Sequence, residues 1–197
     1  MTDKRLLRGA RTRQTVLRRA VDIASMEGLE GVSFGRLATD TGLSKAGIQT
    51  LFRTKEALQL ATIDHARTLI VEAIIRPALP APHGLQRLRA VIENWIAYVE
   101  LPLFEGGCFR VANLADFDSR PGPVRDAFAH DQRKWLDGLA NEVRHAVANG
   151  EIEPVDPDLT AYQLDAVMCA TNTSLRLGEP GAVDRARRIV GLLVSPR

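Results

Sequence analysis

FGRLATDTGLSKAGIQTL, residues 34–51, decides the fold. Two short helical patterns flank Gly42, with Ser33 just before the first and Ser44 just before the second. A serine at that place accepts a hydrogen bond from a backbone N–H in the first turn and so starts a helix. Gly42 takes a positive φ at little cost, and Ala38, four residues earlier, leaves room where the first helix approaches the second. Leu37, Leu43, Ile48 and Leu51 are spaced to seal a small core, which turns Lys45, Gly47, Gln49 and Thr50 outward. The pattern reads as a helix-turn-helix whose second helix is free to enter a major groove. Gln pairs bidentately with adenine, Lys reaches guanine, and Gly lets a backbone approach the bases. A helical hairpin with a glycine turn and no ligand would share the spacing.

Working outward, charge separates the two ends of the chain. Residues 1–55 hold eleven Lys or Arg against five Asp or Glu, a net of +6, whereas the rest hold fifteen against nineteen, a net of −4. A duplex carries one phosphate charge per roughly 1.7 Å, and clustered cations gain free energy by releasing its condensed counterions. A basic arm beside a helix-turn-helix points to a polyanion, although a solvated basic tail has the same count.

Helical periodicity continues on both sides. Val16, Leu17, Ala20, Ile23 and Ala24 form one apolar stripe that Gly28 ends. Thr54 caps a fourth helix carrying Leu58, Ala61, His65 and Leu69, which stops before Pro77 and the linker PALPAPHG, residues 77–84. Leu85 to Val99 forms a helix, Gly107 to Phe117 a shorter one, and DSRPGP breaks the chain before Pro123 opens a long helix that Gly150 stops. Asp158 opens the next, ending at Gly178, and Ala182 to Leu193 closes the series, giving about nine helices and no strand. The expected class is all-α: a three-helix N-terminal domain over 1–54 and a larger helical domain over 55–197.

Composition narrows the alternatives. With 197 residues, 45% hydrophobic and 25% charged, and a mean hydropathy of −0.09, the chain is neither collagen-like, disordered nor membrane-embedded. No apolar run approaches the 18 or so residues of a membrane span, and MTDKRLLRGARTRQ lacks the features of a signal peptide, so a cytoplasmic protein with no membrane partner is expected. Cys108 and Cys169 have no CxxC spacing, and the four histidines have no metal-ligand spacing. No nucleophile elbow, P-loop or dinucleotide fingerprint occurs, so no enzyme, metal or cofactor is expected. Cys108 beside Arg110 reads as an oxidation sensor or as a small buried residue, and Glu142 with His145 reads as a surface pair.

The run VLRRAVDIASMEGLEGVSFGRLATDTGLSKAGIQTLFRTKEALQLA resembles the DNA-binding domain of the TetR family of bacterial transcriptional regulators over about residues 10–62. The likeness rests on the helix ending at Gly28, Ser33, the Leu37–Ala38 pair, Gly42 to Ser44, Phe52, and Lys55 to Leu58. GGCFRVANLADFDSRPGPVRDAF resembles the more variable remainder of the same family. The resemblance implies a homodimeric repressor that binds double-stranded operator DNA of palindromic sequence and leaves it on binding a small, partly hydrophobic effector. It places base contacts at Lys45, Ala46, Gly47 and Gln49 and a phosphate contact at Lys55; Ser33, Ser44, Thr50 and Arg53 complete the candidate DNA-contacting set. Two positions depart from the family pattern: Gln49 stands for the usual Tyr, and Leu51 for a frequent His. Either Gln49 reads bases directly, or binding leans on Arg53, Lys55 and the basic arm. A module that has lost specific DNA reading would show the same departures.

The C-terminal region is expected to sense and to dimerise. Candidate effector-binding residues are Trp95, Tyr98, Phe104, Phe109, Phe117, Trp135 and Met168, with Asn113, Asp116 and Asn172 as polar groups among them, although core packing calls for the same aromatics. Leu159, Tyr162, Leu175, Ile189 and Leu193 on the last two helices offer apolar surface for pairing across a two-fold axis.

Overall fold

In a computed structural model, which describes residues 3–196, the buried stripe Val16, Leu17, Ala20, Ile23 and Ala24 lies on a first helix running Asp3–Glu27, α1. The basic segment expected as an arm is therefore continuous with α1; Met1, Thr2 and the side chains of Lys4, Arg5 and Arg8 lie outside the described residues. Eight further helices follow: α2 (Phe34–Thr41), α3 (Lys45–Phe52), α4 (Lys55–Ile70), α5 (Leu85–Glu100), α6 (Phe109–Phe117), α7 (Pro123–Ala148), α8 (Pro157–Arg176) and α9 (Ala182–Leu193). Among the described residues no strand forms, and the all-α expectation holds.

The helix starts follow the capping chemistry. Ser33 Oγ accepts from the Arg36 N–H at 3.1 Å, Ser44 Oγ from Gly47 at 3.1 Å, and Thr54 Oγ1 from Ala57 at 3.0 Å. One start needs correction: α8 is capped by Asp156, which accepts from the N–H groups of Asp158 and Leu159 at 3.0 Å, with Pro157 in the first turn. Another concerns the fourth helix, which does not simply stop at Pro77. It widens into a π turn at Val71–Ile75 and tightens into a 3-10 turn at Arg76–Ala78. Proline offers no N–H and its ring crowds the carbonyl four residues back, so regular α geometry cannot run through it. A second 3-10 turn, Leu29–Gly31, sits between α1 and α2.

The chain folds as two compact units, one of Met1–Leu69 with Phe104–Phe128 and the other of Ile70–Leu103 with Ala129–Arg197. The cut differs from a division at 54/55: nearly all of α4, together with the stretch around α6, folds with the N-terminal helices. In the first unit α1 packs on α2 and α6, and α2 on α3. Phe104, Phe109, Phe117 and Phe128 are buried there, with ring centroids 6.1–6.3 Å apart along the chain of contacts Phe104–Phe109–Phe128–Phe117.

Asn113 fastens α6 to the end of α1. Its Oδ1 accepts from the Leu29 N–H at 2.7 Å, and its Nδ2 donates to the carbonyls of Ala24 at 3.0 Å and Phe109 at 2.7 Å. The side chain is fully buried. Close by, Gly106 donates its N–H to Ser25 Oγ at 2.9 Å, and a Cβ at Gly106 would be driven into the Ser25 carbonyl. Backbone thus lies directly against backbone, which only glycine permits.

In the second unit α8 packs on α9, and α5 on α8 and on residues 71–78. Leu88, Ile92, Ile96, Leu139, Val143, Leu164 and Met168 are buried. Glu142 is buried as well, which corrects its reading as a surface partner of His145. Its carboxylate bonds His83 Nδ1 at 2.9 Å and accepts from the Gly84 N–H at 3.0 Å, while the His145 ring lies 4.7 Å from that of His83. The Pro-rich segment before α5 needs an acceptor for this N–H, and Glu142 supplies it.

Replacing Asn113 by Ala leaves the buried Leu29 N–H without an acceptor. Asn113→Ala is expected to lower unfolding stability by about 2–3 kcal/mol, and Asn113→Asp by more, because two carbonyls would then face an acceptor. Denaturant unfolding of the two variants checks the order.

Candidate nucleic-acid interface

The turn between α2 and α3 is made by Gly42 at φ 68°, ψ 14°, a left-handed conformation that favours glycine. Leu37 and Ile48 are buried behind it, and Leu43 and Leu51 are half-buried, so the expected inner face is the observed one. Lys45, Ala46, Gly47, Gln49 and Thr50 are exposed, with Lys45, Ala46, Gln49, Thr50 and Arg53 recurring at helical spacing along one side. The hydroxyl of Thr50 already donates to the Ala46 carbonyl at 2.8 Å, leaving its methyl and lone pair for an outside group. At Gly47 a Cβ would come within 2.9 Å of Ser44 Oγ, so the missing side chain also makes room for the cap. Ser33 and Ser44 are exposed, and each hydroxyl accepts a backbone bond while retaining a proton to donate.

Only Arg53 and Thr54 separate α3 from α4. Arg53 has φ 63°, ψ −57°, and the Thr54 N–H donates to the Phe52 carbonyl at 2.7 Å, which together make a three-residue γ-turn with positive φ. Arg53 is the one non-glycine residue among those described with φ above zero. The turn projects its guanidinium outward and delivers Lys55 to the N-terminus of α4, where backbone N–H groups point away from the helix. Lys55 does not hang free. Its Nζ donates to Glu30 Oε2 at 2.6 Å and to the Glu30 carbonyl at 3.2 Å. Lys55, with help from Arg120 and Gln59, holds the Glu30 carboxyl below the usual carboxylate range.

Two interactions aim the reading elements. Asp40 on α2 accepts from Arg19 Nε at 2.8 Å and, within its own helix, from Arg36 Nε at 3.1 Å; these pairs, Arg19 foremost, lower its pKa, and the Arg19 pair ties α2 to α1. The guanidinium of Arg13 lies 4.8 Å from the centre of the Phe52 ring at the end of α3. Nothing in the sequence pattern points to Glu30, Asp40 or Arg120. Pairs separated by 21 to 90 residues, as Arg19–Asp40 and Arg120–Glu30 are, leave no periodic signal.

The candidate effector-binding residues do not gather in one place. Phe104, Phe109, Asn113, Asp116 and Phe117 belong to the first compact unit, and Trp95, Tyr98, Trp135, Met168 and Asn172 to the second. Asp116 is exposed, whereas Asn113 is wholly engaged with backbone. In the second unit Trp95, Tyr98, Met168 and Asn172 are buried, and Trp135 donates Nε1–H to the buried Asp165 at 2.9 Å.

The last two helices present an unusual surface. Leu159 is 56% and Tyr162 65% exposed, and the outward face of α8 continues through Gln163, Ala166, Ala170 and Thr173 without an exposed charge between Asp158 and Arg176. Leu175, Ile189 and Leu193 are half-buried. A groove of about 290 Å³ runs between α8 and α9, lined by Ala166, Val167, Ala170, Thr171, Ser174, Ala182, Arg185, Ala186 and Ile189. A five-turn helix face this free of charge is of the kind that other protein covers.

Residues 84–190 match the family model described as tetracyclin repressor-like, C-terminal domain. No curated protein matches the chain. Among solved structures, the chain is similar to a TetR transcriptional regulator from Chloroflexus aurantiacus J-10-FL, with 26% identity, 94% of each chain covered and a TM-score of 0.84. It shares its fold with a TetR-family regulator from Agrobacterium tumefaciens, at 18% identity, 95% of this chain, 100% of that one and a TM-score of 0.82. AibR in complex with isovaleryl coenzyme A and operator DNA is 22% identical, covering 94% of this chain and 99% of that one, with a TM-score of 0.75.

The strained joint yields a test. Arg53→Gly relieves the positive φ and is expected to leave the protein more stable, or at worst equal, with a gain of up to about 1 kcal/mol, while duplex binding weakens. Thermal unfolding and duplex titration of the same preparation measure the two effects.

Proposed function

The chain belongs to the TetR family of bacterial transcriptional regulators, and from that membership we propose a homodimeric repressor that grips a palindromic operator and releases it on binding a small, partly hydrophobic effector. The protein is a ligand-responsive DNA-binding regulator, and the observation that carries this reading is the exposed side of α3. Lys45, Ala46, Gly47, Gln49 and Thr50 supply the base-edge groups, and Ser33, Ser44, Arg53 and Lys55 supply donors for phosphate. DNA reading rests on residues 1–54, and sensing and pairing on 55–197. α4 and α6 fold with the reading helices and so serve as the coupling elements. Its output is occupancy of DNA rather than turnover, and it acts in the cytoplasm, where that DNA is; among the described residues no helix is long and apolar enough to cross a membrane.

Within the second unit, Trp95, Tyr98, Trp135, Met168 and Asn172 are the effector-binding candidates, with apolar walls and an amide to orient a polar end. AibR, solved with an acyl coenzyme A and operator DNA together, supports a scheme with both ligands. Phe104, Phe109, Asn113, Asp116 and Phe117 are better suited to carrying a displacement of α6 into α1 than to touching the effector. The effector acts by population shift: it binds more tightly to a dimer whose heads no longer match successive major grooves. A coupling of about 1–3 kcal/mol weakens operator binding about 5- to 150-fold.

Dimerisation is assigned to the uncharged face of α8 with α9, centred on Leu159, Tyr162, Leu175, Ile189 and Leu193 and on the small-residue groove between the helices. Two heads must span roughly 34 Å between successive major grooves, and a symmetric interface sets that distance. Ala170→Arg places a charged side chain in the groove. It is expected to give a monomer by sedimentation with an unchanged circular dichroism spectrum, and to weaken operator binding about a hundredfold or more as the second head's avidity is lost.

Selection from a random duplex library, with sequencing of the retained DNA, tests the reading as a whole. A recovered palindrome is expected; failure to enrich any sequence would favour an interaction module that has lost specific reading, with Gln49 and Leu51 as the reason. On the recovered site, Lys45→Ala is expected to relax one base preference by about 1–3 kcal/mol, whereas Lys55→Ala weakens all sequences alike and lowers the salt slope by about one per protomer.

A further inference from the structure

Glu30 places a negative charge beside the lysine assigned to DNA phosphate. The residue sits in the 3-10 turn Leu29–Gly31, and that turn is pinned on two sides: Asn113 Oδ1 accepts the Leu29 N–H at 2.7 Å, and Gln59 Nε2 on α4 donates to the Leu29 carbonyl at 3.3 Å. The carboxylate cannot drift away with its backbone. One of its oxygens takes Lys55 Nζ at 2.6 Å, and the other takes Arg120 Nη1 at 3.1 Å. Arg120 lies in the loop after α6, where its N–H bonds the Phe117 carbonyl at 3.2 Å and its guanidinium lies 5.5 Å from the centre of the Phe117 ring. All three charged side chains are about half exposed, so no core requires them.

We infer that Arg120 is a positioning residue for DNA binding: it holds the Glu30 carboxylate so that Lys55 can exchange that carboxylate for a backbone phosphate. The inference rests on the assignment of Lys55 to phosphate. Glu30 occupies at Lys55 the place a phosphate oxygen would take, which orients the ammonium before DNA arrives. When phosphate displaces it, the carboxylate stays within a few ångströms of the incoming anion, and only the second cation keeps that charge paired. Ion pairs this exposed exchange partners at small cost, which a reversible phosphate contact requires. Through Arg120, the position of the loop after α6 sets how much of the Glu30 charge the DNA meets.

The test uses the full-length protein and a fluorescein-labelled duplex of mixed sequence, followed by anisotropy over a salt series, because a phosphate contact needs no operator. E30Q is expected to tighten binding about two- to fivefold and R120A to weaken it by a similar factor. In the E30Q background R120A is expected to have no effect, and R120K to restore most of the wild-type affinity in the presence of Glu30. An equal loss from R120A in both backgrounds would make Arg120 a direct phosphate contact or a long-range charge and overturn the inference. So would R120A lowering the melting temperature with affinity unchanged. Lys55→Ala separates the two claims: if it leaves affinity and salt slope unchanged, the phosphate assignment of Lys55 itself falls. If it reduces both while E30Q and R120A are silent, only the role of Arg120 falls.

Discussion

The first compact unit depends on a single buried amide. Asn113 accepts the first free N–H beyond α1 and donates to the Ala24 carbonyl, which the Gly28 N–H also reaches at 3.1 Å, so α6 closes the C-terminus of α1 together with the glycine that follows it. A helix end buried without partners would leave backbone groups unsatisfied. An amide carries two donors and an acceptor on one neutral side chain and so meets both kinds here. Around this clasp Gly106 lies against the Ser25 backbone and the phenylalanine rings fill in behind. The stretch 104–128 thereby folds with the reading helices, although the linker and the change in charge suggest a different partition.

What could be read from the sequence was what is local. Ser33, Ser44 and Thr54 announce helices because capping acts within three residues, and the alternation of Ile48 and Leu51 with Lys45 and Gln49 shows which side of α3 faces water. Asp158 reads as the residue that opens α8, since acidic residues favour first turns. Asp156, two residues earlier with Pro157 between, is what the backbone uses. Asn113 and Asp116 share a helical spacing yet one is buried and the other exposed, since spacing gives a face and not what covers it. Glu142 looked like a partner for His145 three residues on, but the acceptor needed by the Gly84 N–H lay 58 residues away. Ion pairs and clasps of this length belong to the tertiary fold, and the candidate site therefore appeared as a list of side chains without the carboxylates that steer them.

Those carboxylates divide the cations of the first unit into two kinds. Arg19 and Arg36 are drawn onto Asp40 and serve to aim α2, whereas Lys45 projects from the N-terminal turn of α3. Lys55 belongs to neither kind, being held by a residue that is itself shared. The net charge of the N-terminal region accordingly overstates what a duplex would meet, because part of it is already neutralised within the fold.

The joint between α3 and α4 bears on how movement is transmitted. Arg53 donates to Gln49, Thr54 to Phe52, and Leu58 to Thr54, so a run of backbone hydrogen bonds passes from one helix into the next through two residues. A longer or glycine-bearing connection would behave like a worn gear, absorbing a small rotation of α4 before α3 began to turn. Here there is almost no backlash. Through so short a hydrogen-bonded joint a rotation of α4 carries α3 with it in the proposed scheme, which is how a shift elsewhere in the chain would change the fit of α3 to a groove.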